Sequence, residues 1–368
     1  MAAGQPGHDC SAPRRATGHG PSRGVCRWAA APRSRHATLQ AMHSLSRHVP
    51  QAAAPAPAAQ MPTLSVIIQA RGAPHLLQAS VAALLAGAGA ELEIIVAAAA
   101  GTAAGAMPAG SGALGADGRV RFITAAAGEI PCNAGLREAG GDYVGFMDEG
   151  DAAEPGWAGI LLRAAAASGR GALIKGEARV IMQGRELPLP RSCALIARHT
   201  PLHWFTLPQT AIYRRSLMVS HGLHLAAAGL VGEEDFLVRA VVAALLEEGA
   251  ITLCPQAACR LQHRSVSRGR YSVQRAQAEG ELAICAGVHE LLLRHHAALP
   301  EAGVGAQYCA WIGRVLDLTR SAAHPACGAA ANALAQRLRL ECPCPEAYEA
   351  ESARLGRQFA DLSVQAER

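Results

Sequence analysis

An α/β fold with a mostly parallel sheet and a helical C-terminal part is what the sequence predicts, on three observations. Short apolar runs alternate with helical spacing between residues 64 and 147, an acidic turn follows the last of these runs, and beyond Tyr271 the helical period continues to the end. In order, Leu64 to Ile68 is an apolar strand. Residues 74–86 repeat Leu77, Val81, Leu84 and Leu85 at helical intervals, and Leu92 to Val96 is a second strand. A Gly/Ala/Pro/Ser loop of about twenty residues leads to a third strand at Val120 to Ile123, a helix at 131–139 and a fourth strand at Tyr143 to Met147. This βαβ order predicts a mostly parallel sheet, with ligands at the carboxyl ends of the strands. A helix to about Ala167, a strand near Ala172 to Ile181, a Pro-punctuated stretch, a helix starting near Glu233 and an extended run to Leu261-Gln262-His263 complete this part. Leu291, Leu292, Trp311, Ile312, Val315 and Leu316 are expected in the core of the helices after Tyr271.

The predicted organisation is a leader at 1–60, an α/β domain at 61–270 and a helical region at 271–368. The leader is rich in Pro, Ala, Arg, Ser and His and has no hydrophobic period, so it is expected to be disordered. Basic and nearly free of acids, it also resembles a transit peptide, while Met61 stands where an initiator would if the leader were not native.

The formal charge of +5 suggests an anionic partner until it is divided along the chain. Residues 1–60 hold seven arginines against the single acid Asp9, which leaves residues 61–368 at about −1. That balance argues against nucleic acid as a partner of the folded part. The 11 cysteines are scattered, and Cys342-Pro343-Cys344 is their only tight pair, which excludes a zinc site of paired Cys-x-x-Cys type. Buried reduced thiols in a cytoplasmic protein are the simplest account, and no secretory h-region is visible. Residues 94–116 are uncharged but too weakly apolar for a membrane span.

The most informative stretch is Asp142 to Trp157, in which a buried strand runs into Asp148-Glu149-Gly150-Asp151. Hard oxygens on a turn at a strand's end suit Mg²⁺ or Mn²⁺ holding a diphosphate. A solvated acidic turn explains the same residues. Glu233, Glu234 and Asp235 stand at the start of a predicted helix, where acids also complement the macrodipole and cap free N–H groups.

Taken in order, these features resemble glycosyltransferase family 2 over about 210 residues, Leu64 to Arg268. Ser65-Val66-Ile67-Ile68 and Leu92-Glu93-Ile94-Ile95-Val96 resemble its first two strands, and Asn133 to Ala139 followed by Gly141 to Asp148 resembles its middle segment. Gly232-Glu233-Glu234-Asp235-Phe236-Leu237 resembles its Glu-Asp motif, and His263-Arg264-Ser265-Val266-Ser267 the His-x-x-Ser-x-Ser that follows. The resemblance implies the GT-A fold, a Rossmann-like sheet with a helical extension here. It also implies an inverting transfer from a nucleotide-diphosphate sugar to a hydroxyl of a surface-polysaccharide, lipid-linked or protein-glycan acceptor, in the cytoplasm or peripherally at the inner face of a membrane.

The resemblance assigns Asp235 as general base, and Asp148 as the primary ligand of Mg²⁺ or Mn²⁺ with Asp151 and His263 beside it. Gln69, Arg71, Asn133 and Arg268 are the expected donor-binding residues. The segment Pro201 to Arg215, with His203, Trp204, Phe205 and Gln209, is expected to face the acceptor. Alternatives remain for several of these: Asn133 as a helix cap, Arg71 as a solvated loop residue, and Trp204 as core. The chain departs from the family pattern at Ala98 and Ala99, where two aspartates would hold the base and ribose, at Cys132 in place of an arginine, and at Gly150 in place of the second metal-motif aspartate. These substitutions motivate a second hypothesis, a degenerate binding or scaffold domain. A dehydrogenase or nucleotidyltransferase is disfavoured, since no Gly-x-Gly-x-x-Gly follows Leu64 to Ile68.

Overall fold

The computed structural model describes residues 61–87, 89, 91–101, 116–169, 171–182, 184–186, 193, 208–226, 229–247, 250–262, 275–321 and 325–366. By its contacts the chain divides into Met1–Val49 and Pro50–Arg368, and every described residue belongs to the second unit. The expected leader 1–60 lies outside the described residues.

The unit opens with β1 (Leu64–Ala70), α1 (Pro74–Leu85), β2 (Leu92–Ala98), β3 (Val120–Thr124), α2 (Pro131–Glu138) and β4 (Tyr143–Asp148). Strands β3, β2, β1 and β4 lie side by side and all parallel, as the alternation of strand and helix requires. Nearly all of β1 is buried, which is why its sequence is a continuous apolar run with no alternating polar face. Ser65 is the polar residue among its fully buried positions, and its hydroxyl is satisfied, donating to Glu93 at 2.5 Å and accepting from the Gly141 amide at 2.8 Å. Prolines at the starts of α1 and α2 set φ where a missing N–H costs nothing.

Beyond β4 come β5 (Ala152–Ala153), α3 (Trp157–Ser168), β6 (Gly171–Met182), β7 (Arg185–Glu186), a 3₁₀ turn at Pro208–Thr210, β8 (Ala211–Arg214), α4 (Arg215–Ser220), α5 (Gly229–Leu246) and β9 (Ala250–Gln262). The sheet here becomes mixed, because β8 enters antiparallel between β4 and β6, while β9 runs parallel to β6. Among the described residues the sheet has nine strands, in the order β3-β2-β1-β4-β8-β6-β9-β5 with β7 paired to β6. Helices α6 (Arg275–His295), α7 (Glu301–Ser321), α8 (Pro325–Leu340) and α9 (Pro345–Ala366) form the C-terminal part. No described helix is long and apolar enough to cross a membrane.

Each face of the sheet has its own core. On one face Leu77, Val81 and Leu84 of α1 pack with Trp157 and Leu161 of α3 against Val66, Ile68 and Ile94. On the other, a larger cluster begins at Ile67, Ile95 and Val144, passes through α5 and continues without a break into Cys285, Trp311, Val315 and Leu338 of the C-terminal helices. Of the expected helical core, Leu292, Trp311, Ile312 and Val315 are buried, and Leu291 and Leu316 partly so. Phe146, Tyr213 and Phe236 join β4, β8 and α5 through ring centroids 5.1 to 6.0 Å apart, tilted or edge to face. Lys175, the only lysine of the chain, is fully buried on β6, where Nζ donates to the Gly176 carbonyl at 2.5 Å; burial pulls its pKa down to about 8.

One element starts earlier than its sequence suggests. Helix α5 begins at Gly229, four residues before Glu233, and has no acid in its first turn. Glu233, Glu234 and Asp235 therefore sit within the helix, where successive side chains diverge by about 100°, and capping does not explain them.

Phe236→Ala is expected to destabilise the protein by about 3 to 5 kcal/mol, because it opens a cavity where three elements meet. Urea denaturation followed by far-UV circular dichroism checks this; a loss below about 1 kcal/mol would show that the ring cluster does not hold α5 to the sheet.

Candidate active site

A cleft of about 290 Å³ opens at the carboxyl ends of β1 and β4, between the start of α2, the 208–210 turn and α5. In the parallel register Gln69 stands beside Asp148, so the last residues of two adjacent strands form its floor. Arg71, Cys132, Gln209 and Glu233 supply the walls. Arg71 Nη2 lies 3.1 Å from Asp148 Oδ1, with both side chains partly exposed. Glu233 comes from α5 on the far side. Burial, followed by the neighbouring charge of Asp148, pushes its carboxyl up to about 7, while Arg71 and a hydrogen bond from Gln209 act in the opposite direction. The arrangement brings Arg71 together with Asp148 and Glu233 at a strand-end crevice whose third lining carboxylate, Glu129, is paired with Arg137, and Glu233 is poised to hold or release a proton near neutrality.

The rest of the acidic turn is structural. Glu149 is buried, and its carboxylate accepts hydrogen bonds from the amides of Arg71 and Ala73, ahead of α1. Gly150 has φ of +98°, a conformation that side chains rarely adopt, so the position of the second metal-motif aspartate is one that this turn reserves for glycine. Asp151, expected as a metal ligand, does not line the cleft. Its Oδ2 accepts from the Asp148 amide at 3.1 Å and its Oδ1 from the Gln262 amide at 2.8 Å, so it closes the turn and ties it to the end of β9.

Two further expectations change in the same way. Asn133, expected at the donor, neither lines the cleft nor caps α2. Its Nδ2 donates to the Leu225 carbonyl at 2.8 Å and its Oδ1 accepts from the Leu225 amide at 2.9 Å, a two-bond clamp on the loop that forms one rim. Asp235, expected as the base, is two helical positions beyond Glu233 and therefore turned well away from it. It is buried outside the cleft, 2.7 Å from Arg239 Nε, with a pKa that burial raises and Arg239 counteracts. Glu234 leaves the helix in a third direction and pairs with Arg314 Nη2 at 2.8 and 2.9 Å beside a separate cavity of about 280 Å³ between α5 and α7. Of the three acids, Glu233 alone lines the cleft. The sequence reading missed it for want of the helix phase, which an earlier start of α5 would have supplied.

His263 and Arg268 lie outside the described residues, as do Pro201 to Leu207 with Trp204. Among the described residues no group of three or more His, Cys, Asp or Glu side chains is placed to hold a metal ion. The carboxylate of the acidic turn that faces the cleft is Asp148. That fits Mg²⁺ or Mn²⁺ only as an ion drawing its other ligands from a substrate phosphate and water, a common arrangement for Mg²⁺. Cys132 is no nucleophile at neutral pH, because burial pushes its thiol up to about 12. Ala98 is buried at the end of β2 and offers a ligand no side-chain acceptor.

No family model matches the chain, and no curated protein matches it. Among solved structures it is similar to TarS of S. aureus. For residues 1–349 of TarS in complex with UDP-GlcNAc the TM-score is 0.49 at 15% identity, over 80% of this chain and 92% of that one. For the TarS structure described without a residue range the TM-score is 0.43 at 16% identity, over 78% of this chain and 55% of that one.

Glu233 gives a pH-dependent stability of defined sign. Its pKa rises from 4.5 in the unfolded chain to about 7 in the fold, so between these values the unfolded state releases its proton first, and stability falls as pH rises through the window. Glu233→Gln removes that loss. The variant is expected to match the parent near pH 4.5 and to exceed it by roughly 2 kcal/mol at pH 8. Denaturation curves at the two pH values test this, and a variant that is less stable at pH 8 would contradict it. Asp151→Ala is expected to cost about 1 to 3 kcal/mol at neutral pH, since two backbone amides lose their acceptor. The same denaturation measurement reads that loss.

Proposed function

We propose that this protein is a glycosyltransferase that moves a sugar from a nucleoside-diphosphate donor to an acceptor hydroxyl with inversion, and that Glu233, in place of Asp235, is its general base. The observation that supports this reading most is the position of Glu233: a carboxylate with a pKa near 7 facing Asp148 and Arg71 across a cleft at the ends of β1 and β4. The ordered motifs from Ser65 to Ser267 supply the reaction class.

In this mechanism the acceptor oxygen attacks the anomeric carbon as the bond from that carbon to the diphosphate breaks. The acceptor's proton passes to Glu233, whose pKa near operating pH suits a base that must accept and then release it. The leaving diphosphate accumulates negative charge. Arg71 is the cation on the described wall of the cleft, and its guanidinium can give two parallel N–H bonds to phosphate oxygens. Asp148 would hold Mg²⁺ or Mn²⁺ against the same diphosphate, where the ion neutralises leaving-group charge. From sequence alone, His263 is proposed as a further ligand and Arg268 as a phosphate partner. Gln69, beside Asp148 on the floor, is left to contact the donor. The acceptor is proposed to be a glycan or lipid-linked hydroxyl, met in the cytoplasm or at the inner face of a membrane. A binding domain without turnover is the second reading, favoured by the alanines at 98 and 99.

Release of nucleoside diphosphate from UDP-, GDP- and TDP-sugars, with and without Mn²⁺, tests the proposal, with water serving as acceptor where no other is supplied. Release from one donor class is expected, and kcat/KM should rise with pH through an apparent pKa near 7 as Glu233 ionises. Glu233→Gln should lower kcat by about 10² to 10⁴-fold, and Asp235→Asn should leave it within a few-fold. Turnover abolished by Asp235→Asn and untouched by Glu233→Gln would return the base to Asp235. Binding of a nucleoside diphosphate without any release would favour the binding domain.

A further inference from the structure

Gln209 combines three features that seldom coincide in a side chain retained for packing alone. It is 6% exposed, it lines the cleft beside Glu233, and its Oε1 is buried with no hydrogen-bond partner among the described residues. A buried amide oxygen left in this state is costly, and a leucine or methionine of similar length would fill the space without that cost. The other end of the amide is engaged, since Gln209 donates to the Glu233 carboxylate.

The backbone beneath this side chain is held from two sides. Tyr213, fully buried on β8, donates its hydroxyl to the Pro208 carbonyl at 3.2 Å, and Cys259 on β9 donates its thiol to the Gln209 carbonyl at 3.6 Å. The 3₁₀ turn Pro208–Thr210 is thus fastened to two strands of the sheet, while Glu233 comes from α5. An amide carried by the sheet meets a carboxylate carried by a helix, so the hydrogen bond between them fixes the carboxylate relative to the strand ends that form the floor of the cleft. The charge on Glu233 also selects the amide's orientation. A carboxylate accepts from Nε2, whereas a protonated carboxyl can donate to Oε1 and satisfy the orphaned oxygen.

Resting on the reading of Glu233 as general base, we propose that Gln209 is a positioning residue that orients the Glu233 carboxylate for proton removal. Its unpaired oxygen is satisfied when that carboxylate takes up the acceptor's proton. No bond to the sugar is made by Gln209. The proton moves from the acceptor hydroxyl to Glu233, and the amide turns over to accept from the carboxylic acid so formed.

The test is a double-mutant cycle on nucleoside-diphosphate release, with Gln209→Leu, Gln209→Met and Glu233→Gln and each combination in the full chain. Gln209→Leu is expected to lower kcat by about 10- to 100-fold, the span that a hydrogen bond to a charged group represents, with KM for the donor sugar nucleotide unchanged and thermal stability not reduced. In the Glu233→Gln background the same change should have no further effect, because the carboxylate it positions is gone. Gln209→Met repeats the measurement should Leu fold poorly. An unchanged kcat in both variants, a loss confined to KM, or effects that multiply independently in the double variant would each overturn the proposal while leaving the transferase reading intact. A wild-type protein that releases no nucleoside diphosphate from any donor would overturn both.

Discussion

The carboxylate of Glu149 accepts hydrogen bonds from the amides of Arg71 and Ala73, and through them it ties the turn after β4 to the loop after β1. Both amides lie just ahead of α1, where backbone N–H groups need acceptors that the helix itself cannot provide. The consequences reach beyond one cap. Arg71 is held where its guanidinium meets Asp148, and Gly150 is placed so that its amide donates to Ser80 Oγ at 3.0 Å within α1. Asp151 completes the junction from the other direction by binding the end of β9. Three acids that look interchangeable in the sequence thus divide their work: Glu149 and Asp151 build the turn, and Asp148 is the one presented to the cleft.

A similar division governs the second acidic cluster. Within an α-helix the side chains of Glu233, Glu234 and Asp235 fan out, and each finds a different surrounding: the cleft, Arg314 of α7, and Arg239 one turn on. The two ion pairs bind α5 to its own next turn and to the C-terminal helices. Glu233 is the one that faces the cleft, where burial, followed by the charge of Asp148, raises its proton affinity. The same helix that carries this carboxylate also brings Phe236 into the ring cluster with Phe146 and Tyr213, so the placement of the acid is set by the packing of the core.

Much of the architecture was legible because it rests on period and polarity. The runs at Leu64, Leu92 and Tyr143 are mostly apolar since nearly all of their residues are buried, the edge strand at Val120 is more exposed, and β1 to β4 fall where the sequence puts them. The antiparallel entry of β8 between β4 and β6 was not legible, because strand partners far apart in the chain leave no local mark. At the site, residue types were readable and directions were not. Asn133, Asp151 and Asp235 are the right kinds of group in the right neighbourhood, yet each is bonded away from the cleft by partners from distant segments: Leu225, Gln262, and Arg239 on a helix whose start was misplaced. Gln69, Arg71 and Asp148 line the cleft because residues at and just past a strand's end face the crevice whatever packs around them.

The solitary buried lysine of β6 gives the molecule an unusual chemical surface. Every other cationic side chain with a permanent charge is a guanidinium, so a reagent that acylates amines finds no side-chain target on the folded surface, and Lys175 becomes available only when the sheet around it parts. Modification of that one residue would therefore keep time for the opening of the strands β8, β6 and β9, in a protein that carries no other side-chain amine.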